Sequence, residues 1–223
     1  MIESTTQTEL FDVATTRRQI RIVALIHAAE TAGLVPISVL QFHTIAYLSN
    51  VLAPVWELPS EDGKILKRND GPFYPVLQHD VDRLIGAGVV SITNLGHVLD
   101  HDSHWRLEGS YRLIPAFSHR ILEVLRRFRE EQQLLEFFQE LAYALSALEE
   151  SELQIASDED ATYSDPLIDF GNVVDFAEWQ HINYSANAAD FFQRVLPSGT
   201  STTSGEKLHM YVRHLRERMH ARV

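Results

Sequence analysis

The segment from Asp70 to Ile92 constrains the fold of this chain more than any other, because it joins a turn, a helix and a strand in a fixed order. Asp70, Gly71 and Pro72 are residues that favour turns. Pro75 suits the first position of a helix, where the missing N–H of proline costs nothing. A helix is therefore predicted to begin at Pro75.

The predicted helix has one apolar stripe. Its members recur at helical spacing and are Leu77, Val81, Leu84 and Ile85. The polar side chains are predicted to lie elsewhere on the helix surface, and they are His79, Asp80, Asp82 and Arg83. Gly86 and Gly88 end the helix. The β-branched run 89–93 that follows is typical of a strand.

The chain before this segment predicts two helices. Residues 1–15 are polar, and we expect them to fray. Apolar residues at helical spacing then predict a first helix that ends before Gly33. Ser38 is a suitable N-cap for a second helix, and Pro54 disturbs the end of that helix.

Short strands are predicted on both sides of the third helix. Residues 64–68 form one strand, and the strands 89–93 and 105–114 pair across a polar tip. Three compact helices followed by a hairpin are what a winged helix requires. We therefore predict a winged-helix-like domain over residues 16–114.

The second half of the chain predicts a C-terminal helical region. Residues 115–150 have a strong helical pattern and predict either one long helix or two. The other predicted segments follow in order: an acidic linker near 151–166 within the helical region 115–196, short helices at 173–179 and 186–196, a linker at 197–205, and an amphipathic helix at 206–223. The predicted fold class is mostly α, within the α+β class.

Charge limits the partners that this chain can bind. Among 223 residues the formal net charge is −12, which disfavours strong, free-standing binding to nucleic acid. Residues 151–192 contain nine acidic side chains and no Lys or Arg, whereas residues 204–223 contain five basic and two acidic ones. A local basic surface is still compatible with this distribution.

Basic residues near the predicted recognition helix and wing are the candidates for phosphate contacts. They are Lys64, Lys67, Arg68, Arg83, Arg106 and Arg112. A solvated face is the simpler interpretation, because Asp80 and Asp82 on the same helix as Arg83 repel a DNA groove. The helix therefore resembles a protein-contact helix more than a reader of bases.

Catalytic and metal-binding patterns are weak. The interleaved residues His97, His101 and His104 are the best metal candidates, but polar residues of this kind also occupy hairpin tips. The chain has no cysteine, no Gly-x-x-x-x-Gly-Lys phosphate loop and no Gly-x-Ser-x-Gly elbow. We predict that the protein is not an enzyme and needs no cofactor.

The last predicted helix has an apolar stripe next to several arginines. Tyr211, Leu215, Arg216 and Met219 are the candidate partner-binding residues, because an amphipathic helix behind a linker can dock in a partner's groove. Docking back onto its own chain is an equal alternative, since a core helix has the same stripe.

Four segments together carry a family resemblance. They are Arg21-Ile-Val-Ala-Leu-Ile-His-Ala-Ala-Glu30, Leu40-Gln-Phe-His-Thr-Ile-Ala-Tyr-Leu-Ser49, Gly71-Pro-Phe-Tyr-Pro75 and Asp82-Arg-Leu-Ile-Gly-Ala-Gly-Val-Val90. In this order they resemble the middle component of bacterial ABC-three-component defence systems, including the Lamassu-like anti-phage systems. The resemblance covers about the first 115 residues. It implies an accessory subunit beside an ATPase related to the structural-maintenance-of-chromosomes (SMC) proteins and an effector, often a nuclease.

These observations lead to one main hypothesis and one alternative. The main hypothesis is a non-catalytic subunit that joins the SMC-like ATPase to its effector. The alternative is a free winged-helix DNA-binding regulator or antitoxin, which the acidic balance disfavours. The N-terminal residues lack the basic start and apolar core of a signal peptide, so we expect a cytoplasmic protein with no membrane partner.

Overall fold

A computed structural model of the chain describes residues 3–60, 63–99, 105–164, 169–175, 183–195, 197 and 201–221, with the backbone alone for residues 3–12, 174, 175 and 195. Within these residues the fold is mostly helical with two small sheets, an α+β arrangement. The first helix, α1, spans Glu3–Thr31 without a proline or glycine to interrupt it, so its backbone begins before the predicted start near residue 16.

The N-terminal elements follow the predicted order closely. After α1 come the strand β1 (Ile37–Ser38) and the helix α2 (Val39–Leu52). Gly33, at φ +80°, ends α1, and the N–H of Leu34 donates to the carbonyl of Ala29 at 2.9 Å. The predicted N-cap is confirmed, because the side chain of Ser38 accepts from the N–H of Gln41 at 3.1 Å.

The predicted turn, helix and strand are also confirmed. The strands β2 (Lys64–Arg68) and β3 (Gly71–Phe73) pair antiparallel and lead into the helix α3 (Pro75–Gly86). Val81 and Leu84 on the predicted stripe are buried, and Leu77 and Ile85 pack against the same core. Asp80 is the exception. Its carboxylate is buried under Arg18 of α1, whose Nε donates to it at 2.7 Å, so the prediction that it lies on the surface is wrong.

The predicted hairpin is longer than its sequence pattern suggested. Its strands are β4 (Val90–Leu99) and β5 (Trp105–Leu113), and they pair antiparallel with a bulge after Thr93. β1 pairs with the other edge of β5, which gives the sheet order β1-β5-β4. The hairpin residues 100–104 lie outside the described part of the chain.

The helical region after the hairpin contains two helices, whereas the sequence pattern was compatible with either one long helix or two. These are α4 (Pro115–Leu125) and α5 (Arg129–Leu145). α1 packs against α5, and α2 packs against the next helix, α6 (Glu150–Ile155). These contacts join the regions that the sequence places on either side of residue 114 into a shared hydrophobic core.

Two predictions for the second half differ from the structure over the residues that it describes. The segment 151–164 is not a solvated linker, because α6 is followed by a 3₁₀ turn at Ala156–Glu159 and by buried residues up to Tyr163. The predicted helix at 173–179 begins instead as a strand, β6 (Val173–Asp175), which pairs antiparallel with residues 64–66 of β2. Residues 176–179 lie outside the described part.

The last two described helices agree with the sequence. They are α7 (Tyr184–Val195) and α8 (Ser204–Ala221). Of the predicted linker 197–205, residues 198–200 lie outside the described part, and Ser204 and Gly205 already belong to α8. Among the helices of the described residues, none combines the length and apolar character needed to cross a lipid bilayer.

Candidate interaction site

The basic residues predicted to contact phosphates do not form one surface. Lys67 is only 5% exposed, and its Nζ lies 5.2 Å from the ring centre of Tyr163 and 5.3 Å from that of Phe170. The guanidinium carbon of Arg68 lies 3.8 Å from the ring centre of Phe73. The prediction that Lys67 contacts phosphate is therefore wrong, because strand alternation points its side chain inward against two aromatic rings.

Arg106 is held by acidic neighbours within the chain. Its Nη1 lies 2.8 Å from Asp70 Oδ2, and its Nη2 lies 3.5 Å from Glu108 Oε2. This pairing ties the hairpin to the turn between β2 and β3. Lys64, Arg83 and Arg112 are exposed, on three different elements. The six predicted phosphate-contacting residues therefore do not form the basic stripe of a DNA-binding face.

The predicted histidine cluster falls only partly in the described structure. His97 is exposed on β4 opposite Leu107, whereas His101 and His104 lie outside the described part of the chain. Within the described residues, no group of three His, Cys, Asp or Glu side chains is arranged to hold a metal ion.

An apolar face on the hairpin is the feature that the sequence reasoning missed. Side chains alternate along β5, so Leu113, Tyr111, Leu107 and Trp105 share one side of it. At the base of the hairpin this side is core, since Tyr111 and Leu113 are buried. Toward the tip it becomes solvent-exposed, because Leu107 is 52% and Trp105 71% exposed.

Residues of β4 extend the same face. Leu99 pairs directly with Trp105 across the strands and is 51% exposed. Leu95 belongs to this face as well, because its Cδ1 lies 3.4 Å from the position that a Cβ of Gly109 would take. We call Leu95, Leu99, Trp105 and Leu107 the hairpin face. Several large exposed apolar side chains on one face are typical of a protein-binding surface.

The sequence did indicate which side chains of β5 share this side, although not that they are exposed. The segment 105–113 alternates apolar and polar residues, and that period places Trp105 and Leu107 on the side of Tyr111. Arg106 and Arg112, two of the predicted phosphate contacts, lie on the opposite side of the same strand.

A cavity of about 290 Å³ lies beside the hairpin face. Its walls come from the start of α2, the β2–β3 turn, α3 and both hairpin strands. His43 lines it and is fully buried. The Nδ1 of His43 accepts from the N–H of Tyr74 at 3.4 Å, and its Nε2 donates to Gln78 Oε1 at 3.0 Å. Burial lowers the pKa of His43 to about 4, so the ring is neutral at physiological pH.

The last helix folds back onto its own chain. Of the predicted partner-binding residues, Tyr211, Leu215 and Met219 are buried in the intramolecular core. The Nε of Arg216 donates to Glu152 Oε1 at 3.2 Å. The last helix therefore docks back onto its own chain rather than presenting its stripe to a partner. Its apolar stripe and its basic side chains both contact other parts of the same chain. These four residues do not form a free surface, which corrects their assignment as a partner site.

The buried carboxylate of Asp160 organises this docking and had no local signal in the sequence. It has no exposed surface, and its Oδ1 accepts from the hydroxyl of Tyr47 at 2.5 Å. The N–H groups of Thr162 and Tyr163 donate to the same oxygen at 3.0 Å each. Asp160 is thus a buried acid whose carboxylate is hydrogen-bonded. The acidic composition of its segment does not predict this structural role.

Scans of the chain against profiles of protein families, against curated proteins and against solved structures give no significant match. The family resemblance described from the sequence therefore stays a prediction.

Proposed function

We propose that this chain is a non-catalytic accessory subunit that binds a partner protein through the hairpin face. The exposed apolar side of the hairpin is the single observation that carries the proposal. Trp105 and Leu107 continue the core-facing side of β5 into solvent, where each costs free energy unless a partner covers it. A hairpin that contacts DNA would instead present polar or basic side chains at these positions.

The N-terminal region, residues 16–114, is proposed to be a winged-helix-like domain. The order of elements supports this proposal: α1, β1, α2, α3, β4 and β5, with β1 beside β5 in the sheet. In that arrangement α3 corresponds to the recognition helix and the β4–β5 hairpin to the wing. The β2–β3 pair is then an insertion between the second and third helices.

The proposed partners are an SMC-like ABC ATPase and an effector, often a nuclease, in anti-phage or anti-plasmid defence in the cytoplasm. The resemblance of residues 21–30, 40–49, 71–75 and 82–90 to the middle component of ABC-three-component systems supports this choice. The subunit would join the ATPase and help to control the effector. DNA would then be contacted weakly or only through the complex.

The distribution of charge weighs against the alternative, a free DNA-binding regulator or antitoxin. The net charge is −12, Lys67 is buried against aromatic rings, and Arg106 is paired with Asp70. A free DNA-binding protein needs several unpaired cations on one face to release counterions from DNA.

Co-expression of the tagged full chain with its genomic neighbours tests the proposal. We expect affinity capture at moderate salt, followed by mass spectrometry, to yield a coiled-coil ATPase. The purified chain alone should leave the mobility of duplex DNA unchanged. A chain that captures no neighbouring protein and shifts duplex DNA would instead support the regulator.

A further inference from the structure

The cavity beside the hairpin face is lined by more carboxylates than cations. Asp70, Asp82 and Glu108 line it together with Arg68 and Arg106. Arg106 is shared between Asp70 and Glu108, and Arg68 lies over the ring of Phe73. Because His43 is neutral, it adds no positive charge to the cavity. The cavity therefore has an excess of negative charge.

Asp82 is the carboxylate that has no cation. Its Oδ1 accepts a 2.9 Å hydrogen bond from the neutral side-chain amide of Gln78. Among the ion pairs of the described residues, Asp82 takes part in none. Gln78 cannot compensate the charge, so a ligand cation at this position gains a charge-assisted hydrogen bond.

Tyr111 lines the same cavity as Asp82 and Glu108. The Nε2 of Gln78 donates to its hydroxyl at 2.9 Å, which fixes the ring at the cavity wall. Burial, followed by the negative charges of Asp82 and Glu108, raises the pKa of Tyr111 to about 12.

The lining of the cavity combines apolar side chains with a carboxylate, which suits a long side chain with a charged end. Leu40, Ile92 and Leu107 form its apolar wall, and Leu107 also belongs to the hairpin face. An arginine side chain matches this arrangement, because its methylene groups pack on apolar residues and its guanidinium binds a carboxylate with two parallel donors. A lysine ammonium lacks the planar pair of donors.

We propose that this cavity binds the guanidinium of an arginine side chain presented by the partner protein, beside the contact made by the hairpin face. The proposal rests on the proposed function, because the arginine belongs to the partner. Asp82 is the principal acceptor, and Tyr111 contributes its ring and hydroxyl.

Binding of a capped arginine to the full chain tests this site without the partner. The probe is Nα-acetyl-L-arginine amide, titrated into ¹⁵N-labelled protein and followed by NMR. We expect saturable shifts at the side-chain amide of Gln78. Asp82→Asn should weaken binding on the order of fivefold, the size of an exposed charge pair. Glu123→Gln, an exposed acid on α4 away from the cavity, should leave the affinity unchanged.

Three results would overturn the inference. The first is the absence of saturable shifts at Gln78. The second is equal affinity for Nα-acetyl-L-citrulline amide, which has the shape of arginine without its charge. The third is much tighter binding of free L-arginine than of the capped form, since that would indicate an amino-acid site. Failure of this test leaves partner capture by the hairpin face unaffected, so the two proposals are tested separately.

Discussion

The hydroxyl of Tyr211 donates a 2.6 Å hydrogen bond to Oδ2 of Asp160, a carboxylate with no exposed surface. The other oxygen of the same carboxylate accepts from Tyr47 on α2. One acidic side chain therefore links the last helix to a helix of the N-terminal half. Removing either hydroxyl leaves a buried carboxylate with one donor fewer, which costs more than the loss of an exposed hydrogen bond.

Tyr211→Phe should lower the free energy of unfolding by about 2 kcal/mol, because a hydrogen bond to a buried charged group is lost. The N–H of Ala161, which donates to the same hydroxyl at 3.3 Å, loses its acceptor as well. Urea unfolding measures the change. Tyr143→Phe is the matched control, since Tyr143 is 41% exposed, and it should cost less than about 0.5 kcal/mol. Equal costs for the two variants would contradict the role of Asp160.

Leu215→Asp should destabilise the whole chain rather than only weaken a partner contact. Leu215 is 1% exposed, so the new carboxylate is buried without a partner, and we expect a loss of about 4 kcal/mol or more. Leu84→Asp on α3 should behave in the same way. Leu95→Asp, at a position 58% exposed, should leave the thermal melting temperature nearly unchanged. A normal melting temperature for Leu215→Asp would mean that the last helix is not docked.

The stabilising contribution of the ionised Glu152 carboxylate should be lost in acid. The backbone N–H of Glu149, then His220 and Arg216, lower the pKa of Glu152 to about 2 from its ordinary value of 4.5. Because the pKa is lower in the folded state, the ionised carboxylate stabilises the fold above pH 4.5. This contribution is lost as the pH falls from 4.5 toward 2.

Urea unfolding of Glu152→Gln at about pH 6 and pH 3 measures this contribution. The variant should lose less stability between the two values than the wild-type chain does. Glu123→Gln provides the control for removing an exposed carboxylate and should follow the wild type. A full wild-type pH dependence in Glu152→Gln would show that other acids cause it.

His43 should stay neutral well below the pH at which an ordinary histidine is protonated. Burial, together with the nearby charge of Arg68, lowers its pKa to about 4 from 6.5. A lowered pKa in the folded state means that the neutral ring stabilises the fold above pH 6.5 and that this contribution is lost as the pH falls toward 4. In an NMR titration, the ring resonances of His43, assigned with His43→Gln, should not shift between about pH 7 and pH 5.5. A midpoint near 6.5 would contradict the burial of this ring.

Local patterns predicted the elements that local chemistry determines. Pro75 and Gly86 bound α3 as expected, and Ser38 caps α2 through a hydrogen bond to Gln41, three residues away. Helix starts and ends depend on neighbouring residues, so a sequence contains the information that specifies them. The hairpin strands were also predicted from local composition, since β-branched and apolar residues there lie between turn residues.

Long-range pairing explains what the sequence could not predict. The acidic segment 151–164 had the composition of a solvated linker, yet Glu159 pairs with Arg218 and Asp160 with Tyr47, across 59 and 113 residues. β6 is a strand because it lies against Lys64–Leu66 of β2. The exposure of the hairpin face depended on how far the strands extend beyond the core, which no local pattern defines.

Capture of the proposed partner by a hairpin-face variant tests the central claim most directly. Trp105→Ser combined with Leu107→Ser removes two exposed apolar side chains and should leave the melting temperature unchanged. Co-expressed with the genomic neighbours, the wild-type chain and the control Phe191→Ser, at an exposed position on α7, should both retain the coiled-coil ATPase. The double variant should lose it. Equal retention by the double variant and the wild type would contradict a partner interface on the hairpin face.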